Sequence, residues 1–285
     1  MDGILVVNKD LGYTSRDIVN IVSKCLGTKK VGHTGTLDPM ASGVMVLCVG
    51  KALKLCELLT NHDKEYIAGI TLGIETDTLD MVGKVLSTKI VDIDESKIIN
   101  AVNSFNGSYL QEVPKYSAVK VNGKKLYEYA RNNIDVKLPS KMVNINKIEI
   151  IDDIIYSDGK VCFNIKTTVS KGTYIRSLVR DIGKKLGVPS VMNSLVRTRL
   201  GEFNINEAYS IEDIKNGNFK LISIIDALKG IQMIKVNREL TFKIKNGVVL
   251  EPFFDGDKAV ILDEDDNLIA IYENINNEAR VYRMF

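Results

Sequence analysis

The sequence is poor in residues that bind metals or cross-link chains, with 4 cysteines and 2 histidines among 285 residues. Cys25, Cys48, Cys56 and Cys162 stand far apart and form no C-x-x-C pair, and the histidines are too few for a zinc cluster. The cysteines read as reduced core residues of a cytoplasmic protein. Long apolar runs are missing as well. The longest, Val44 to Val49, is far too short to span a membrane. The start, MDGILVVNKD, has no basic lead and a short apolar run, so no secretory signal is expected. There are no internal repeats or low-complexity tracts. Rossmann, H-E-x-x-H and G-x-S-x-G patterns are also absent. GTKKVGHT approaches a phosphate-binding P-loop, but His33 occupies the position where that motif requires lysine. No cofactor, nucleotide or metal is therefore expected.

What is present is the composition of a globular protein, 45% hydrophobic and 26% charged. The length suits one large domain with a small one beside it. Net charge is only +2, yet it is unevenly spread. Residues 231–285 hold 7 basic and 10 acidic side chains, whereas residues 115–147 hold 8 basic and 2 acidic ones. Residues 166–199 hold 8 basic and 1 acidic. A single charge run usually marks a solvated surface. Two basic windows, each with tyrosine and glycine, point further, to a face that binds a polyanion.

The patterning predicts mixed secondary structure. Residues 3–8 read as a strand. Thr14, with Asp17 three residues on, forms a variant capping box for a helix carrying Ile18, Ile21, Val22, Cys25 and Leu26 and ending at Gly27. Apolar residues alternate around Tyr66 and again over residues 161–169, as in half-buried strands. Helices are predicted over residues 94–105 and from Ile175 to Leu186. Beyond residue 230 the texture turns to short strands with acidic or Asn-rich turns. Without regular βαβ alternation, the chain reads as α+β: a large domain over residues 1–230 and a small β-rich domain over residues 231–285.

The most informative stretch is Gly32 to Gly43, a loop with three glycines, a histidine, several hydroxyls and an Asp-Pro pair. Asp before Pro commonly just closes a turn. Here Pro39 also biases Asp38 toward extended backbone, from which its carboxylate can project. Loops carried on rigid strands often hold function.

GHTGTLDPMASGVMVLCVGKA resembles the signature of the TruB family of tRNA pseudouridine synthases. The similarity continues through DKEYIAGITLGIETDTLD, VPKYSAVKVNGKKLYEYAR, SKGTYIRSLVRDIGKKLG and LVRTRLGEF, in the family's order, across roughly residues 3–203. The resemblance implies a pseudouridine-synthase-like fold: a mixed, mainly antiparallel sheet flanked by helices, with a PUA-like C-terminal module. It implies isomerisation of uridine 55 in the T-arm of tRNA, with Asp38 as the catalytic carboxylate. Tyr66 and Tyr174 match tyrosines of the base pocket, and Tyr66 is further implied in removal of the C5 proton. Arg176 matches an arginine that pairs with the catalytic acid. His33 matches a residue contacting the RNA where the flipped nucleotide leaves a gap, and Leu195 matches a pocket wall. Lys9 and Asp77 fall on supporting positions. The insertion at about residues 115–147 resembles a thumb-like element that closes on RNA.

The alternatives are a guide-RNA-dependent synthase subunit and a non-catalytic protein that binds or folds tRNA. The thumb-like block, with no long basic C-terminal extension, favours a stand-alone enzyme, expected to be a monomer with no obligate protein partner and no membrane contact.

Overall fold

GILVVN becomes part of the Gly3–Lys9 strand, at one end of a ten-stranded sheet. The computed structural model describes residues 1–285. Across this sheet the strands run in the order Gly3–Lys9, Ala41–Val49, Ser190–Leu200, Lys64–Leu72, Lys160–Val169, Ser140–Ile150 and Gly107–Glu112. All neighbours on this path are antiparallel except Ala41–Val49 and Ser190–Leu200, which run parallel through Leu195↔Ala41. The α+β reading, a mainly antiparallel mixed sheet with helices, therefore describes the fold. No helix is long and apolar enough to cross a membrane.

Local chemistry explains the elements. The Thr14 side chain accepts from the Asp17 backbone N–H at 3.1 Å, and the Asp17 carboxylate accepts from the Thr14 N–H at 2.8 Å, so the capping box starts the Ser15–Cys25 helix. Ile18, Val19 and Val22 bury its inner face. Cys25, expected in the core, lies exposed at its last position instead, where the polar end of the helix turns to solvent. All four cysteines are free. Val161, Phe163 and Ile165 bury one face of their strand, as the alternation requires. The Ile175–Leu186 helix buries Ile175, Leu178, Val179 and Ile182 in the cluster that also holds Tyr66, Ala68 and Leu195. It stops at Gly187, which adopts the left-handed backbone (φ 71°) that glycine accepts at least cost.

The C-terminal residues form a four-stranded sheet, Gln232–Lys235, Lys258–Leu262, Leu268–Ile275 and Glu278–Met284. It shares apolar contacts with the large sheet, because Val260 and Ile271 belong to one cluster with Ile4 and Val46. An eight-residue helix, Arg238–Lys245, interrupts the strands. The sequence reading missed it, although Asn237 caps it by accepting from the Leu240 N–H at 2.9 Å. Its composition is polar, and only Ile244 is buried.

One glycine fixes how the candidate loop meets the sheet. Gly43 has φ +104°, and a Cβ there would overlap the backbone of Arg197 on the parallel neighbour. Gly43→Ala is expected to cost about 1–3 kcal/mol through strained backbone and steric overlap. Thermal unfolding should fall by several degrees, and an unchanged midpoint would contradict the close approach.

Candidate active site

Asp38 sits at the end of a loop tied down on three sides. The Ser15 hydroxyl accepts from the Leu37 N–H at 2.9 Å and is within 3.1 Å of the Leu37 carbonyl. The Gly12 N–H donates to the Pro39 carbonyl at 2.8 Å, and the Ala41 N–H closes a turn onto the Asp38 carbonyl at 3.0 Å. The backbone is held while the carboxylate remains 38% exposed. It opens into a cavity of about 490 Å³, within the ~300–1,000 Å³ range usual for small-molecule sites.

Arg176 organises this cavity from the first turn of the Ile175–Leu186 helix. Its guanidinium pairs with Asp38 at 2.9 Å and, on its other side, with Asp80 at 3.5 Å. The same group donates to the carbonyls of Thr78 at 3.0 Å and Tyr116 at 3.1 Å. Only 9% of its side chain is exposed. A planar fork of donors suits several acceptors in fixed directions, which an ammonium cannot match. Asp80 is buried too, and it is braced by the Thr78 hydroxyl at 2.6 Å and the Val82 N–H at 3.2 Å.

Tyr66, from the Lys64–Leu72 strand, and Leu195, from its neighbour, line the same cavity, each 7% exposed. Tyr174 lines it from the N-cap of the Arg176 helix. The Lys141 ammonium lies 5.1 Å from the centre of the Tyr174 ring. Burial raises the Tyr174 phenol above its ordinary pKa, so the hydroxyl keeps its proton.

Of the eight nominated residues, the structure gathers Asp38, Tyr66, Tyr174, Arg176 and Leu195 around one cavity. The other three do not line it. His33 is next to Thr34, which does, and its Nδ1 accepts from the Gly35 N–H at 3.3 Å. Burial, then the charges of Arg197 and Arg16, lower the His33 pKa and favour the neutral ring. Lys9 is fully buried and donates to the carbonyls of Asp10 at 3.0 Å and Tyr13 at 2.8 Å. Asp77 accepts from the Lys84 N–H at 2.8 Å within a turn. It is Asp80, three residues on in the same ETDTLD segment, that meets Arg176.

The sequence reading also missed two buried cations in the cavity wall. Arg197 is 1% exposed and donates to the carbonyls of Val44 at 2.6 Å and Gly35 at 3.3 Å. Lys64 donates to the carbonyls of Thr60 at 2.8 Å and His62 at 2.7 Å. Burial, followed by the charge of Arg197, pushes its ammonium down to about 8. With Lys171 and Arg176, these give the cavity four basic side chains against the single acid Asp38. No group of three or more His, Cys, Asp or Glu is arranged to hold a metal ion.

Known proteins resemble this chain along most of its length. Residues 23–175 match the model of the TruB family pseudouridylate synthase N-terminal domain, and residues 176–221 match the tRNA pseudouridylate synthase B C-terminal domain. The chain is 41% identical over 286 residues to tRNA pseudouridine synthase B of Bacillus subtilis (strain 168), covering 95% of this chain and 93% of that protein. It is 43% identical over 290 residues to tRNA pseudouridine synthase B of Staphylococcus saprophyticus, covering 95% and 94%. In fold it is similar to a chain from an H/ACA RNP bound to a substrate RNA containing 2′-deoxyuridine. That similarity has a TM-score of 0.71 at 23% identity and covers 99% of this chain and 84% of that one.

Two measurements test the electrostatics. Arg176→Ala leaves the buried Asp80 carboxylate without its countercharge and is expected to cost on the order of 3 kcal/mol in chemical denaturation. Adding Asp80→Ala should recover part of that loss, whereas strictly additive losses would show that the two charges are not coupled. For Lys64 the folded pKa of about 8 lies below the ordinary 10.5. Between these values the unfolded chain holds the extra proton, so folding stability from this group rises with pH across about 8 to 10.5. Denaturation at pH 7.5 and 9.5 should show that rise reduced in Lys64→Met, and an identical rise in both proteins would contradict it.

Proposed function

Since this chain belongs to the TruB family of tRNA pseudouridine synthases, we propose that it isomerises uridine 55 in the T-arm of tRNA, with Asp38 as the essential carboxylate. The observation that carries this reading is the Asp38–Arg176 pair at 2.9 Å, opening into a cavity bordered by Tyr66 and Tyr174. The reaction breaks N1–C1′, turns the uracil, joins C5 to C1′, moves the C5 proton to solvent and leaves a proton on N1. No atom is gained or lost overall. Two routes use the same acid: a covalent adduct with the sugar or base, or removal of the C2′ proton. Both require a carboxylate facing the nucleotide, and Arg176 holds it there.

The base must leave its stack, at a cost of a few kcal/mol. Stacking on an aromatic ring contributes roughly 1–3 kcal/mol per base, which offsets much of that cost. Tyr66 and Tyr174 supply the rings and Leu195 the remaining wall. In this reading Tyr66 also helps to remove the C5 proton. In this reading His33, next to the cavity-lining Thr34, contacts the RNA where the flipped nucleotide leaves a gap, while Lys9 and Asp77 play supporting roles. The basic lining of the cavity suits the phosphates that enter with the base.

The insertion at about residues 115–147 acts as the element that closes on RNA. Its Tyr127 reaches the cavity and carries Lys125 and Arg131 at 5.4 and 5.3 Å from the ring centre. Residues 1–230 form the catalytic unit in this reading. Residues 231–285, with their acidic balance, touch the acceptor stem locally or brace the core.

Asp38→Ala is expected to abolish tritium release from C5-labelled uridine in tRNA while leaving RNA affinity within about threefold. An active variant removes the proposed chemistry. Purified wild-type protein should act on a bare T-arm hairpin. A requirement for guide RNA and partner proteins would instead favour the guide-dependent reading, which otherwise rests on likeness of fold. Affinity for tRNA should fall by orders of magnitude between about 50 and 200 mM salt, since phosphate contacts release counterions. A flat response contradicts a phosphate-contacting face.

A further inference from the structure

Gln111 is fully buried on the Gly107–Glu112 strand, and its side-chain amide grips the backbone of a single pocket residue. Its Oε1 accepts from the Tyr174 N–H at 2.8 Å, while its Nε2 donates to the Tyr174 carbonyl at 3.1 Å. A backbone N–H can only donate, so the orientation of the amide is fixed. Nε2 also donates to the Tyr109 hydroxyl at 2.5 Å, and that hydroxyl reaches the Asp181 carboxylate at 3.5 Å, on the helix that begins after Tyr174.

Tyr174 is the N-cap of the Ile175–Leu186 helix, and its side chain makes no capping hydrogen bond. Helices usually start on a short polar residue that fixes their first turn. Here the anchor comes from another strand instead. Lys141, the register partner of Gln111 on the adjacent strand, holds its ammonium 5.1 Å from the centre of the Tyr174 ring. Paired positions of two strands therefore hold the backbone and the ring of one residue. The strand itself is fastened independently, because the Ser177 hydroxyl and the Arg180 guanidinium donate to the Glu112 carbonyl at 2.8 and 3.1 Å. Removing the Gln111 amide is thus a change local to Tyr174.

We infer that Gln111 is a positioning residue: its amide sets the place of the Tyr174 ring through the Tyr174 backbone, so that the extruded nucleotide meets a fixed wall in the cavity that Asp38 faces. This deepens the proposed function and rests on its reading of Tyr174 as a pocket wall. The contact is complete in the free protein, so it acts by preorganisation, and the wall needs no ordering when RNA arrives. A wall displaced by about 1 Å shifts the nucleotide relative to the acid, and an error of that size costs on the order of a hundredfold in rate.

The test uses the full-length protein labelled with 3-fluorotyrosine, its Tyr174 resonance assigned from Tyr174→Phe. Gln111→Met keeps the length of the side chain and removes the amide. In the free protein it should shift or broaden the Tyr174 fluorine resonance and leave that of Tyr272, in the C-terminal sheet, in place. With tRNA, kcat/KM by tritium release should fall by about 10- to 100-fold. Kd should rise by less, since phosphate contacts carry most of the affinity. In a Tyr174→Ala background the same substitution should lower kcat/KM by no more than about twofold further. Gln111→Glu, which keeps the acceptor facing the Tyr174 N–H, should restore part of the loss. An unmoved Tyr174 resonance, a wild-type kcat/KM or losses that multiply in the double variant overturn the inference. Should Gln111→Met fail to fold, hydrogen exchange in the unaltered protein decides. The Tyr174 amide should then exchange well below the rate of an unstructured amide, and exchange at that rate overturns the inference. Asp38→Ala is the separate control: its activity decides the proposed function, whereas the fluorine spectrum is read without RNA and decides Gln111.

Discussion

One guanidinium holds together parts of the chain that the sequence keeps far apart. Arg176 joins the Asp38 loop, the Thr78–Asp80 turn and the Tyr116 backbone to the first turn of a helix. Each contact is modest in isolation. Buried together, they leave no direction in which the guanidinium can move without losing an acceptor. The arrangement fixes where the Asp38 carboxylate faces, and everything proposed about the chemistry depends on it. Asp80 gives the arginine a second, buried partner, so in the proposed reaction the cation would stay compensated when Asp38 turns to the nucleotide.

The scaffold explains how such a cluster is built. A parallel register between Ala41–Val49 and Ser190–Leu200 brings Leu195 beside Ala41, directly after the Asp38 loop. The antiparallel register of Ser190–Leu200 with Lys64–Leu72 brings Arg197 beside Tyr66. The cavity therefore opens where strands distant in sequence become neighbours. Its walls are apolar and aromatic, and its charge comes from a few buried cations whose stems are covered while their donors reach carbonyls. Under the proposed function the rings would meet the base and the positive balance the phosphates.

Much of this was legible in the sequence for a physical reason. The Gly32–Gly43 loop is continuous, so its glycines, hydroxyls and Asp-Pro pair could be read without knowing the fold. The Ile175–Leu186 stripe was equally plain, because helical periodicity is local. What stayed hidden came from tertiary contacts. Arg197 and Lys64 were not singled out, since nothing in a sequence shows that carbonyls await a buried ammonium or guanidinium. Asp80 was overlooked beside Asp77 because a turn decides which acid faces inward. Cys25 seemed a core residue because the apolar stripe was extended one turn too far. The Arg238–Lys245 helix was missed because it buries so little.

The most direct test of the central claim is a crystal structure of this protein bound to a T-arm hairpin. The account predicts that the extruded nucleotide enters the cavity with the Asp38 carboxylate about 3–3.5 Å from its sugar or base, the reach of a near-attack geometry. Arg176 should still contact Asp38 and Asp80 in that complex. A nucleotide seated away from Asp38, or an Arg176 that has left the acid to bind phosphate, would contradict the account.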